Sequence, residues 1–443
     1  MLTALSVVLP AFFVGGAVHA ETLQQAVAKA LNEHPSLEQA LAVQRAAHEG
    51  VTEERSAYFP KVSASTAVGR VYGDNATSRG LSVTRGAGYS NLWEGSLGVN
   101  QMIFDGFKTQ RMVGAAKARE DAAEFTLQDV RENLSLQTAL AYLNVLRSRE
   151  SLAMTQDYIK TLDEYTRRIQ VMVNEGAADE AELRQAEEVK LEVQNLVASF
   201  TGQLKNADAA YAKLTGTLPE DMLYRPASIS DRLPPNADEA IRSVWTSHPQ
   251  VEKSNQEIIA AGYTADAQKS ALFPTVTGEL SAYAKDVDDL IGGEVEDNRA
   301  LVRMNWELST GGAELARIRK AKQEYIQSKH RKDEILLNMQ SVIRTAYSDL
   351  ETSAAQRAIL AERLDVNQNL AKTYQTQFEG AKVRILQLLQ VENQVLNARI
   401  DLLNADYRYL AAQYSVLGSI GRLQDHLLSA TPAPATTAAN AKP

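Results

Sequence analysis

His330, Asp333 and Glu334 stand at a spacing that brings three side chains to one face of a helix, and an imidazole beside two carboxylates is a donor set for a divalent cation. They lie inside the charged run Lys329 to Glu334, so a solvated helix face explains them more simply. Gly106-Phe107-Lys108-Thr109 has the residue types of a phosphate loop but not its glycine spacing. His34 and His248 each precede a proline at equivalent places and read as structural. No local run of serine, histidine and acid marks a nucleophile, although the members of such a triad need not be near in sequence. With 0 cysteines, the chain has no disulfide, thiolate metal site, cysteine chemistry or lipid-modified cysteine. The residues therefore point to no catalytic, metal or cofactor site. What remains is charge at two turns. Asp179, Glu180 and Glu182 open a helix, where the helix dipole favours acids whatever the function. Lys382 and Arg384 open another, where the dipole opposes them, so a partner or a gate is the better reason for them.

Both turns carry the same tripeptide, Glu175-Gly176-Ala177 and Glu379-Gly380-Ala381, each between long runs of helical periodicity. Their recurrence is one sign of an internal two-fold repeat. Leu31-Asn32-Glu33-His34-Pro35 matches Trp245-Thr246-Ser247-His248-Pro249, and Ala57-Tyr58-Phe59-Pro60 matches Ala271-Leu272-Phe273-Pro274. Ile103-Phe104-Asp105-Gly106 matches Leu308-Ser309-Thr310-Gly311, and Ala141-Tyr142 matches Ala346-Tyr347. Each copy reads helix, Phe-Pro break, alternating segments, glycine, very long helix, turn, helix.

The expected layout follows from these landmarks. Residues 1–20 form an apolar run ending in Val18-His19-Ala20, an export signal without the usual positive start. The first repeat covers 21–216: a helix to Ser56, a β-hairpin over 61–104, a long helix over 107–174 and a helix over 179–214. A proline-containing linker covers 217–237. The second repeat covers 238–428, with a helix over 238–270, strands within 275–308 (near Thr275 to Ala284 and Ala300 to Leu308), a long helix over 313–378 and a helix over 383–428; a disordered Ala, Thr and Pro tail covers 429–443. At ~1.5 Å per residue the uninterrupted helices could run about 100 Å, longer than an ordinary globular core is wide. The fold class is thus mostly α with a small β part, built on long antiparallel helical hairpins. A net charge of −9 and the lack of a basic patch with interleaved aromatics argue against a nucleic-acid partner.

The strands alternate. Trp93, Leu97, Val99 and Ile103 fall on one face, with Glu94, Ser96, Asn100 and Met102 on the other; Val302, Met304, Trp306 and Leu308 alternate likewise with Leu301, Arg303, Asn305 and Glu307. One face suits lipid and the other water, and Trp93 and Trp306 suit an interfacial aromatic belt. Four strands cannot close a barrel, and an open edge is costly in hydrocarbon, so the barrel must be shared among subunits. A soluble periplasmic coiled-coil scaffold or adaptor would share the helices but has no use for two amphipathic hairpins at equivalent positions.

Together these landmarks, the Ala346-Tyr347-Ser348-Asp349-Leu350 run and the closing Leu417-Gly418 resemble the TolC family of outer-membrane channel proteins over nearly the whole mature chain. The resemblance implies a homotrimer whose twelve strands make one barrel in the outer membrane, continued by an α-helical tunnel in the periplasm. It implies a passive conduit that docks on a periplasmic membrane-fusion adaptor and an inner-membrane transporter, ABC or proton-driven, with no cofactor and no chemistry of its own. The missing lipidation cysteine favours the type I secretion branch over the drug-efflux branch. In the family the tunnel closes at its periplasmic tip. Counting from the turn glycines, the acidic and basic members of that lock fall on Glu182 and Lys382, while a tyrosine position falls on Gln377 and the entrance aspartates fall on Gln387 and Gln390. Neutral amides would not concentrate cations as a carboxylate ring does, so weak cation selectivity is expected. The turns Glu175-Gly176-Ala177 and Glu379-Gly380-Ala381 are the expected adaptor-docking tips.

Overall fold

The computed structural model describes residues 20–73, 88–288, 293–308, 311–379 and 383–429. The expected signal, the tip of the first hairpin, the tail beyond Ser429 and the turn residues Gly380, Ala381 and Lys382 lie outside the described residues. In chain order the first half has α1 (Leu23–Glu33), α2 (Pro35–Ser56), β1 (Lys61–Gly73), β2 (Gly88–Phe104), α3 (Lys108–Asn174) and α4 (Glu180–Thr215). The second half has α5 (Ala237–Ser247), α6 (Pro249–Gln268), β3 (Thr275–Val287), β4 (Val295–Asn305), α7 (Ala313–Glu379) and α8 (Ile385–Ser419), followed by a short α9 (Leu423–Ser429). The two halves have the same order of elements, and α3 and α7 each span 67 residues.

Several boundaries differ from the sequence reading, each for a local reason. The expected helices over 21–56 and 238–270 are each broken in two at His34-Pro35 and His248-Pro249. The residue before proline is held extended, with ψ 128° at His34 and 132° at His248. The expected helix over 383–428 breaks after Ser419, where Gly421 takes a positive φ of 69°. Strand β4 runs over Val295–Asn305 rather than from Ala300 to Leu308. Its last partner is Thr275, and Pro274 beyond it has no N–H to extend the ladder. Trp306 and Leu308, expected in the strand, therefore follow it.

Contacts group the chain into two compact units, one of residues 1–38, 129–248 and 338–443, the other of 39–128 and 249–337. Each unit draws on both halves of the sequence. The second holds the antiparallel sheet, ordered β1-β2-β3-β4. Residues opposite one another share a face. Val62 lies opposite Val99, Ala64 opposite Leu97 and Val68 opposite Trp93. The row continues through Leu280 and Ala282 on β3 to Ala300, Val302 and Met304 on β4. The other face carries a bidentate Arg303–Glu279 pair at 2.9 and 3.0 Å, a Ser65–Ser96 hydroxyl contact at 2.8 Å and a Tyr283 hydroxyl donating to Glu94 at 3.2 Å.

The corner from β2 into α3 needs glycine at one position. Gly106 has φ 68°, and a Cβ there would meet the Ser270 carbonyl oxygen at 2.8 Å. Phe107 shares the left-handed conformation at φ 67°, where the second half has Gly311 and Gly312. Asp105 caps the helix beyond by accepting from the Thr109 backbone N–H at 2.7 Å and its hydroxyl at 2.5 Å.

In the first unit, the matched tyrosines do the same job. The Tyr142 hydroxyl lies 2.7 Å from the carbonyls of both Glu21 and Tyr224, and the Tyr347 hydroxyl donates to the Pro234 carbonyl at 2.8 Å. Both tie linker segments to a long helix. The buried Glu132 accepts the backbone N–H groups of Leu423 and Gln424 at 3.2 Å. Desolvation outweighs those bonds and raises its pKa from 4.5 to about 7. A raised carboxylate pKa leaves stability intact below about 4.5 and removes it as pH climbs through 7, by roughly 3 kcal/mol from the linkage constant. His248, buried and lowered to about 4, acts in the opposite direction, its contribution being lost as pH falls below 6.5. Glu132→Gln is therefore expected to remove most of the fall in urea-unfolding free energy between pH 5 and pH 8. An unaltered pH slope would show that Glu132 is ionised at little cost in the fold.

Candidate functional site

The turn ends of the helical hairpins are organised by a seven-residue repeat. In α4, Ala186, Val193, Phe200 and Ala207 are all buried at intervals of seven, the spacing of a left-handed coiled-coil seam. Leu183, Ala186, Val193 and Phe200 pack with Tyr158, Leu162 and Ile169 of α3 and with Ile385, Leu389, Leu396 and Ile400 of α8. Val391 and Val395, on another face of α8, pack with Ala371 of α7. Helix α8 thus joins the two hairpins through apolar contacts.

This packing positions the first turn. Gly176 has φ 72°, and the Ala177 and Ala178 N–H groups donate to the Met172 carbonyl at 2.8 and 3.2 Å, which closes α3. A Cβ at Gly176 would meet nothing, so the backbone conformation rather than crowding requires glycine. Helix α4 begins after Asp179, whose side chain caps nothing. Glu180 instead pairs with Arg184 at 3.2 Å, and Arg184 with Glu187 at 3.1 Å, both on the exposed surface.

Glu182 is different. Its side chain is only 13% exposed, and its carboxylate lies 3.6 Å from the guanidinium of Arg384. Arg384 is the residue at which α8 begins, with no side-chain cap of its own. The adverse charge noticed at that helix start is therefore met by an acid from the opposite hairpin. Of the expected lock members Glu182 and Lys382, Glu182 is met by Arg384, and Lys382 lies outside the described residues.

Met172, Gly176, Asp179, Glu182, Phe378, Val383 and Arg384 line a cleft of about 470 Å³ between the two turns. Phe378 also lines a neighbouring cleft with Arg167, Arg168 and Val171. Composition and motif gave no reason to select Phe378; its one signal was its place just before the second turn. Gln387 and Gln390 are exposed on α8, on the side away from the buried Leu388 and Leu389, and Gln377 is half-buried. Glu175 and Glu379 are exposed at the ends of their helices, while Gly380 and Ala381 lie outside the described residues. His330 makes only an exposed pair with Asp333 at 3.3 Å, and no group of three metal-ligating side chains is present among the described residues.

At the other functional surface, Val68 and Val302 are 77% and 73% exposed on the apolar face of the sheet. Trp93, on that face, precedes the polar pair Arg70 and Asn91 towards the hairpin tips, and Trp306 follows the end of β4 on the helix side. The two indoles stand near opposite ends of the apolar rows. Strands β1 and β4 each leave one edge unpaired among the described residues.

Comparison with known proteins agrees with this arrangement. The model of the outer membrane efflux protein family matches residues 26–217 and 240–422. The chain is 27% identical over 412 residues to the outer membrane efflux protein BepC of Brucella suis, covering 92% of this chain and 87% of BepC. It is 21% identical to the outer membrane protein TolC of Escherichia coli, covering 93% and 84%. The solved Campylobacter jejuni CmeC outer membrane channel superposes with a TM-score of 0.78 at 17% identity, covering 90% of this chain and 86% of that one. With one family model spanning both halves, the chain belongs to the outer membrane efflux protein family.

Proposed function

We propose that three copies of this chain join their sheets edge to edge into one twelve-stranded barrel. Family membership makes the chain an outer-membrane export channel with a helical tunnel in the periplasm. The observation that carries the trimer is the open four-stranded sheet, apolar on one face, whose two free edges need partners in hydrocarbon. The turn ends of the hairpins form the periplasmic gate and the surface that meets an adaptor and an inner-membrane pump, ABC or proton-driven. Glu182 and Arg384 hold that gate shut, and Lys382 is a further basic member of it; Gln377, Gln387 and Gln390 line the entrance. Trp93 and Trp306 sit in the two membrane interfaces. The cargo is set by the pump; one relative is named an efflux protein and another a toxin and drug export protein, so type I secretion and efflux both remain readings of it.

The full chain, purified from outer membrane in detergent, is expected to have a detergent-corrected protein mass three times that of the mature chain and to give discrete conductance steps in planar bilayers. A soluble monomer without conductance would overturn the channel and return the helices to a scaffold.

A further inference from the structure

Within the sheet-bearing unit, a cleft of about 650 Å³ opens where the strands meet the helices. Its walls are the end of α2 with Arg55, Tyr58 and Phe59, the first turns of α3 with Gln110, Arg111, Gly114 and Lys117, and Tyr263 of α6. Gly114 makes it possible. A Cβ there would stand 3.1 Å from the Tyr263 ring, so glycine lets that ring lie against α3 as a wall. Arg111 is balanced by Asp266 at 3.7 Å, and the nearby Glu120 is taken by His48 at 2.7 Å. Arg55 and Lys117 are exposed and make no ion pair among the described residues.

The mouth of the cleft is apolar. Tyr58 and Phe59 are 50% and 67% exposed, and Val62, on the apolar face of β1, follows within a few residues at 68%. From cleft to strand the surface thus passes from cations to rings to aliphatic side chains. In a membrane the same order is phosphate, glycerol and acyl chain. We infer that this cleft binds the headgroup of an anionic glycerophospholipid of the periplasmic leaflet, with Arg55 and Lys117 on the phosphate and the acyl chains along Phe59 and β1. The inference rests on the outer-membrane reading. Charge selects anionic over zwitterionic lipid, because two unpaired cations at a membrane surface attract net negative charge, and the volume is within the range of small-ligand sites.

The test is native mass spectrometry of delipidated full-length protein titrated with phosphatidylglycerol, phosphatidylethanolamine or inorganic phosphate. Wild type is expected to retain phosphatidylglycerol in preference to phosphatidylethanolamine. Arg55→Gln with Lys117→Gln is expected to lower that preference roughly thirty-fold, with oligomer mass and bilayer conductance unchanged. No preference in the wild type, or one kept by the double variant, overturns the site. Competition by phosphate at equal concentration makes it an anion site only and overturns the lipid assignment. Loss of oligomer mass in the variant assigns the cleft to a subunit contact and likewise overturns it, whereas conductance without any lipid preference leaves the channel standing and the lipid site refuted.

Discussion

Leu97→Arg is expected to abolish accumulation of the protein in the outer membrane, while Ser96→Arg, one residue away, is expected to be tolerated. Leu97 lies opposite Ala64 on one side and Ala282 on the other, in the middle of the apolar rows, and is 53% exposed. Arginine on the lipid face of a barrel costs roughly 2–4 kcal/mol near the bilayer midplane. In the proposed ring that cost recurs in every copy, and it falls on a sheet that must also find partners for both edges. Ser96 points to the other face, opposite Ser65 and Tyr283 and beside Glu94, on a surface that also holds the Arg303–Glu279 pair. Fractionation and bilayer conductance read both variants. Equal insertion of the two would mean that the apolar rows do not face lipid.

Charge reversal at the turns is expected to open the channel. Glu182 is mostly buried and Arg384 mostly exposed, so arginine at 182 would lose the pair and face Arg384 as a like charge, partly screened by water on the Arg384 side. An exposed ion pair is worth only about 0–1 kcal/mol. Near the upper end of that range, a loss in each copy of the proposed trimer would still shift the closed-to-open ratio on the order of a hundred-fold, because the losses act on one shared opening. Glu182→Arg and Arg384→Glu should each raise single-channel conductance or open time strongly, and the combined swap should return both towards wild type. A swap no better than either single variant would remove this pair from the gate. Lys382→Glu compares the other basic residue of the same turn.

Much of the fold is legible in the chain because its signals are periodic and punctuated. Proline, glycine and long uninterrupted helical runs mark the elements, and the landmarks Tyr142 and Tyr347 hold linkers in the same manner in both halves. The errors fall where pairing or a single bond decides. The start of β4 at Val295 cannot be read from the polar run Glu296-Asp297-Asn298, which looks like loop until β3 supplies Lys285 and Ala284 as ladder partners. His34 and His248 were legible as structural, but the complete stop there depends on the extended backbone that proline imposes on the residue before it.

At the turns, the sequence by itself determined the glycine corner at Gly176, the acids of one helix start and the adverse base Arg384 of the other, because backbone conformation and the helix dipole are local. The choice of partner was decided only by tertiary structure. Glu182 meets Arg384 because Leu183 and Ala186 of α4 share an apolar seam with Ile385 and Leu389 of α8, and that seam fixes which turns of the two helices lie side by side. The lipid-facing character of alternate strand residues was likewise local, a matter of period two. Which of them form continuous rows depends on the register across four strands, which only the ladder of backbone hydrogen bonds sets.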